Sequence, residues 1–217
     1  MINPYVDERR VHFGFSLGIN LMSYYVKESH DTINGEVYHA RVSSLMPGFS
    51  VGFITDVRLT RHLSLRFCPA LHFGQKTLRY KNESGNPIRG MDDSFKDKTE
   101  LISLPVSIPL YLKWAAERHH NYRPYLIGGG GVQFDFGGQK ERPLLQRKFD
   151  YFVEFGFGCD FYTRWFKFCP EIKYQVGFAN MITPVSERTE LPVQNEFYTR
   201  ALKRLTNQML TLTFNFE

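Results

Sequence analysis

Phe149-Asp150-Tyr151-Phe152-Val153-Glu154-Phe155-Gly156-Phe157-Gly158-Cys159-Asp160-Phe161 alternates in character from one residue to the next. Phe149, Tyr151, Val153, Phe155, Phe157, Cys159 and Phe161 fall on one face. Glu154, Gly156, Gly158 and Asp160 fall on the other, where Phe152 is the one bulky apolar exception. Successive side chains of a strand point to opposite faces, whereas a helix repeats every ~3.6 residues, so this stretch is a strand. Its apolar face outruns the ~5–6 residues usual in soluble sheets and suits the ~9–11 that a strand needs to cross a bilayer.

The same period recurs along the chain. Val11, Phe13, Phe15, Leu17, Ile19 and Leu21 alternate with His12, Gly14, Ser16, Gly18 and Asn20. Phe49, Val51, Phe53, Val57 and Leu59 follow, then Leu63, Leu65, Phe67, Leu71 and Phe73. Ile102 to Trp114 forms a fourth strand, in which Pro105 and Pro109 each remove a ladder N–H and predict a bulge. The fifth, 122–136, is interrupted by Gly128, Gly129, Gly130 and Gly131 and reads as bent or bulged; without a following Lys-Ser/Thr or helix pattern the glycines are no phosphate cradle. Phe166, Phe168, Ile172, Tyr174, Val176 and Phe178 mark a seventh strand, and Leu210, Leu212, Phe214 and Phe216 the last.

Connection lengths then separate a membrane barrel from a soluble sandwich. Loops of roughly 18 to 26 residues at 27–46, 81–98 and 181–206, with a medium one at 138–148, alternate with short turns at 60–61, 115–121 and 162–164. The expectation is an all-β fold: an eight-stranded antiparallel up-and-down transmembrane β-barrel with long outer loops and short periplasmic turns. Residues 1–10 read as an N-terminal periplasmic tail and 11–217 as one barrel domain, with both termini periplasmic in a bacterial outer membrane. Trp114, Tyr122, Tyr162 and Trp165 border short turns, where an inner aromatic girdle belongs, and Tyr25, Tyr80 and Tyr151 suit the outer one.

Composition agrees with this placement. A mean hydropathy of -0.33 looks soluble, yet alternating strands average out to middling values. No apolar run reaches the ~18 residues of a membrane helix. The formal charge of +5 comes from Lys and Arg scattered along the whole chain, not gathered into a basic block, which argues against nucleic acid. Cys68, Cys159 and Cys169 have neither metal-ligand nor redox spacing. The polar N-terminus lacks the apolar core of a secretory signal, so the expectation is a mature form with its signal removed and Met1 added as a start.

The alternates of the apolar faces carry Asp56, Arg58, Arg66, Lys113, Arg123, Asp135, Glu154, Asp160, Glu171 and Lys173. An eight-stranded barrel has an interior just wide enough for side chains, so these charges should interlock and close the lumen. Unpaired, each would cost several kcal/mol of desolvation. A catalytic search finds His12, His72, Ser16, Ser64, Asp56 and Glu154 on the same faces, but spacing on separate strands establishes neither hydrogen-bond contact nor an oxyanion hole. The chain reads as no enzyme, with no cofactor, no metal site and no small-molecule substrate. His119 and His120 are adjacent in a turn and diverge.

Within the loop before the last strand, 195–205 places Phe197, Ala201, Leu202 and Leu205 at helical spacing with Asn195 as N-cap, predicting a short amphipathic helix. Phe197, Leu202 and Leu205 are its candidate contacts, either to the barrel rim or to a partner.

Several stretches resemble the PorT family, barrel proteins of the type IX secretion system of Bacteroidetes. They are His12-Phe13-Gly14-Phe15-Ser16-Leu17-Gly18, Pro47-Gly48-Phe49 leading to Leu63-Ser64-Leu65-Arg66-Phe67, Asn121-Tyr122-Arg123-Pro124-Tyr125-Leu126-Ile127-Gly128-Gly129, Phe157-Gly158-Cys159-Asp160-Phe161-Tyr162, Phe166-Lys167-Phe168-Cys169-Pro170-Glu171-Ile172-Lys173 and Leu212-Thr213-Phe214-Asn215-Phe216-Glu217. The resemblance implies a non-enzymatic part in exporting cargo proteins across the outer membrane, with outer-membrane lipid and other secretion-system proteins as partners. The alternative is a stand-alone barrel for adhesion or membrane integrity. A soluble lipocalin-like barrel would need its apolar faces inside, and sequence does not say which face is inside.

Overall fold

The computed structural model describes residues 9–28, 32–33, 36–82, 98–137, 147–181 and 202–217. Its strands are β1 (Val11–Glu28), β2 (Thr32–Ile33), β3 (Glu36–Leu45), β4 (Pro47–Arg58), β5 (Leu63–Phe67), β6 (Ala70–Asn82), β7 (Lys98–Ser103), β8 (Pro105–Ala115), β9 (Tyr122–Asp135), β10 (Phe149–Tyr162), β11 (Lys167–Gly177) and β12 (Leu202–Phe216). β3 with β4, β5 with β6 and β7 with β8 each make one long strand, and β2 is a short addition to β3, so the wall is eight-stranded. Every neighbour is antiparallel, and β1 closes the ring by pairing with β12 on one side and β4 on the other.

The alternation read from the sequence sets the register and the faces. On β10, Phe155 and Phe157 are 55% and 59% exposed, whereas Phe152, Glu154 and Asp160 are at most 4% exposed. The outer surface is therefore a band of Phe, Leu, Ile and Val, and the interior is polar. That is the reverse of a lipocalin-like barrel, and it is stable where the outside solvent is hydrocarbon.

Three expectations are corrected. The bulge expected at Pro105 and Pro109 is absent: β8 keeps one register with β9 from Pro105, opposite Asp135, to Ala115, opposite Tyr125. Ala115 N–H donates to His62 O, and because donors alternate sides along a strand, the odd residues of β8 face β5 and β6. Pro105 and Pro109 thus withhold donors from that seam only. Pro109 falls opposite the Cys68–Pro69 gap between β5 and β6, across which the register with β8 is unchanged. One missing ladder bond at each proline accommodates them without an inserted residue.

Second, β1 runs to Glu28, β3 occupies much of the expected 27–46 loop, and β12 starts at Leu202 instead of near Leu210. Beyond the apolar band both faces of a strand are polar, so the strands continue without an apolar alternation to reveal them. Third, the helix expected over 195–205 is not formed in its described part. Val26 pairs with Leu205, Lys27 with Arg204 and, past a register shift, Glu28 with Leu202, because the open ladder of β1 offers backbone partners to this stretch. Leu205 is fully buried, so it is no surface contact; Phe197 lies outside the described residues.

Trp114, Tyr122 and Trp165 are exposed beside the short turns, and Tyr25 and Tyr151 are exposed toward the other end. Tyr162 instead turns inward and is 4% exposed, with Arg118 lying 3.6 Å over its ring. Tyr80 has no described side chain.

Candidate functional site

The lumen is filled by a network whose hub is Arg66 on β5. Its Nε donates to Asp56 Oδ2 at 3.0 Å, its Nη1 to Glu171 Oε2 at 3.2 Å and its Nη2 to Glu217 Oε1 at 2.5 Å. Arg66 and Asp56 sit directly opposite each other in the β4–β5 ladder, so the strand register alone brings that pair together. Lys113 on β8 reaches both Asp160 oxygens, at 2.9 and 2.8 Å. Lys167 bonds Glu217 and lies 3.9 Å from Asp160. Lys173 stands between Glu171 at 3.4 Å and Glu154 at 3.9 Å.

Two tyrosines complete the cluster. Tyr125 donates to Glu171 at 2.7 Å, while its ring lies 4.0 Å beneath Lys113 Nζ and 5.6 Å from Arg66. Tyr111 donates to Glu154, with Lys173 at 5.1 Å from its ring. Gly158 makes room for this layer: a Cβ there would meet Tyr125 Cζ and Oη at 2.5 Å. Every carboxylate in the layer thus has a cation or hydroxyl partner, which desolvated charges require.

Toward the long-loop end the filling stays polar. Asn20 donates to Ser50 at 2.7 Å, and His72 bridges Ser50 at 2.8 Å and Ser107 at 2.9 Å. Gln175 donates to Gln133. Lys76 donates to Asn207, which donates to Asp150, both at 2.8 Å. A cavity of about 10 Å³ remains beside Ser16, His72, Glu154, Lys173 and Thr211. It holds one water at most.

Of the ten charges picked from the sequence, Asp56, Arg66, Lys113, Glu154, Asp160, Glu171 and Lys173 meet in this lumen. The other three do not join them. Arg58 is half-buried at the short-turn end, and Arg123 binds Ala116 O at 2.7 Å and Arg61 O at 2.6 Å, tying two turns together. Asp135 lies at the opposite end and accepts bonds from Ser103 Oγ, Leu104 N–H at 2.9 Å and Gly137 N–H at 2.8 Å. Sequence reasoning missed Lys167 and Glu217, although parity marks both: Lys167 alternates with Cys169, Glu171 and Lys173, and Glu217 with Thr213 and Asn215. Tyr111 and Tyr125 were missed because an aromatic residue on an inward face carries no charge signal.

The arrangement offers no catalytic line among the described residues. His72 is held between two serine hydroxyls with no carboxylate bonded to it, while Asp56 and Glu154 are engaged with Arg66 and Tyr111. No group of three or more metal-ligating side chains occurs among the described residues. His119 and His120 lie side by side, their rings 5.3 Å apart.

A closed eight-stranded wall with an apolar exterior and a polar, packed interior defines a transmembrane β-barrel. A family model described as "Outer membrane protein beta-barrel domain" matches residues 3–183, and the chain belongs to that family of bacterial outer-membrane proteins. No curated protein matches the chain. Among solved structures, Neisserial surface protein A is 12% identical, with a TM-score of 0.46 over 96% of this chain and 99% of that one. The outer membrane protein OprG from Pseudomonas aeruginosa is 10% identical, with a TM-score of 0.45 over 95% and 91%. The attachment invasion locus protein Ail of Yersinia pestis, solved with the heparin analogue sucrose octasulfate, is 11% identical, with a TM-score of 0.41 over 96% and 99%.

Proposed function

We propose that the protein is a non-enzymatic, non-conducting component of the type IX secretion machinery, supporting cargo export by holding other proteins at the ends of its barrel. The observation that carries this reading is the packed lumen. With Arg66 tied to Glu171 and Lys113 to Asp160 across the interior, and Lys167 and Lys173 tied to carboxylates beside them, the described residues leave no solute path through it, and work must be done by the rims and loops. The secretion role rests on the resemblance to the PorT family, two of whose more specific stretches contribute to this interior: Tyr125 comes from one, Lys167, Glu171 and Lys173 from the other. Both termini face the periplasm in this reading, which follows from the short turns lying at their end. Phe197 in the last loop remains its candidate partner contact.

Four measurements test the proposal. In planar bilayers the purified barrel should show no steady conductance. In native membranes it should co-purify with stoichiometric partner proteins, and its deletion should retain cargo inside the cell. Normal export from a deletion strain, with a lone barrel on purification, would overturn the secretion role in favour of adhesion or membrane integrity. Replacing Phe197 with Ser should weaken partner capture while leaving the barrel folded.

A further inference from the structure

The short-turn end carries a collar of arginines that the lumen network does not use. Arg10 precedes β1, Arg58 ends β4, Arg61 lies in the β4–β5 turn, Arg118 lies in the β8–β9 turn with Arg123 just after it, and Arg164 lies in the β10–β11 turn. Neighbouring strands hold them in sequence around the wall. Arg58 N–H donates to Arg10 O at 2.8 Å, Arg123 reaches Arg61 O at 2.6 Å, and Tyr162 N–H donates to Asn121 O at 2.9 Å, joining the β8–β9 turn to β10. Arg118 is fixed by a bond to His120 O at 3.0 Å and by the Tyr162 ring. Among the described residues, Glu117 is the one acidic side chain exposed at this end; Glu217 is buried with Arg66 and Lys167.

Two features give the collar a direction. Its surface cations are arginines, while the nearby lysines Lys113 and Lys167 are buried in the lumen. A guanidinium matches a phosphate with two parallel hydrogen bonds, which an ammonium does not. The collar also lies level with the aromatic residues of this end: Trp114 is 59% exposed one residue from the β8–β9 turn, and Trp165, next to Arg164, is 88% exposed. Exposed Trp and Tyr beside a lipid-facing band sit at headgroup depth. Cations spread around a circumference at that depth meet a ring of headgroups, whereas a protein partner would call for a patch on one side.

We propose that the short-turn rim is a phosphate-binding collar that enriches anionic phospholipid around the barrel. Arg61 and Arg164 are its exposed contacts, and Arg118 and Arg123 brace the turns. The proposal does not depend on the secretion reading, since it concerns only lipid against the wall.

The chain's two tryptophans both border this rim, which makes them reporters of the lipid beside it. The purified barrel is reconstituted in mixed bilayers of phosphatidylcholine and phosphatidylglycerol, with one or the other lipid brominated. Quenching of Trp fluorescence should show a preference for phosphatidylglycerol of at least about three-fold at low salt, given the attraction of each arginine to an anionic surface. The preference should fall as salt screens it, and R61Q/R164Q should lose most of it while the barrel stays heat-resistant on gels. Equal quenching by the two lipids would overturn the collar and leave the rim as a protein-facing surface. A preference that ignores salt, or survives unchanged in the folded double variant, overturns it as well. Because the salt titration uses the unaltered protein, it decides the question even if the variant fails to fold.

Discussion

Replacing Arg66 with Met removes the hub of the lumen network while keeping most of its volume. Arg66 is 1% exposed and touches three carboxylates. Their fates differ. Glu217 keeps Lys167, and Glu171 keeps Lys173 at 3.4 Å and the Tyr125 hydroxyl at 2.7 Å. Asp56 is the one whose cation at 2.9 Å is lost. Removing one partner of a buried ion pair costs about 3–5 kcal/mol, because the other charge stays desolvated; R66M should therefore destabilise the barrel by about that amount. If the unpaired Asp56 is the main source of the loss, neutralising it in the same chain should return a large part. D56N/R66M is thus expected to recover at least ~1.5 kcal/mol over R66M, a coupling within the range of contacting residues. Urea unfolding in lipid vesicles, followed by Trp fluorescence and by the temperature at which the band shifts on gels, measures both. An R66M variant within about 1 kcal/mol of the parent, or no rescue by Asp56→Asn, would refute the account of a lumen held by mutual charge pairing.

Further outcomes follow from the wall. Val153→Arg, on the exposed face of β10 between Tyr151 and Phe155, should cost about 2–4 kcal/mol if it lies near the bilayer midplane, and a scan along this face should show the penalty falling toward both ends; a small uniform penalty would count against lipid contact. Gly158→Ala should cost about 1–3 kcal/mol, because its Cβ would press on a Tyr125 ring already fixed by Lys113 and Glu171. Gly128→Ala, whose Cβ meets nothing within 4 Å, should stay within about 0.5 kcal/mol, so equal effects at the two glycines would contradict the packing described. Mass spectrometry of the unreduced protein should find Cys68, Cys159 and Cys169 unbridged, since Cys68 and Cys169 point inward from parts of the wall that are not neighbours and Cys159 is on the outer side of β10.

The sequence by itself determined which residues share a face, and with that the strand count, because a period of two is a local property of backbone geometry. Phe149 to Phe161 carries its reading without help from the rest of the chain, and the apolar band follows from repeating it eight times. The same parity gathered Asp56, Arg66, Lys113, Glu154, Asp160, Glu171 and Lys173 on the face opposite the apolar one, and the closed barrel showed that face to be the interior. Three things needed the tertiary structure. Which charges pair depends on the stagger between strands: Arg66 meets Asp56 through the β4–β5 register, but reaches Glu171 and Glu217 only because ring closure brings β11 and β12 across from β5. The extent of the strands was not legible either, since outside the apolar band nothing penalises a polar residue on either face, and β1 and β12 extend each other through backbone bonds that any side chains allow. The helical spacing at 202–205 yielded for that reason: a local preference of a few tenths of a kcal/mol per residue lost to a ladder that exists only once β1 is in place.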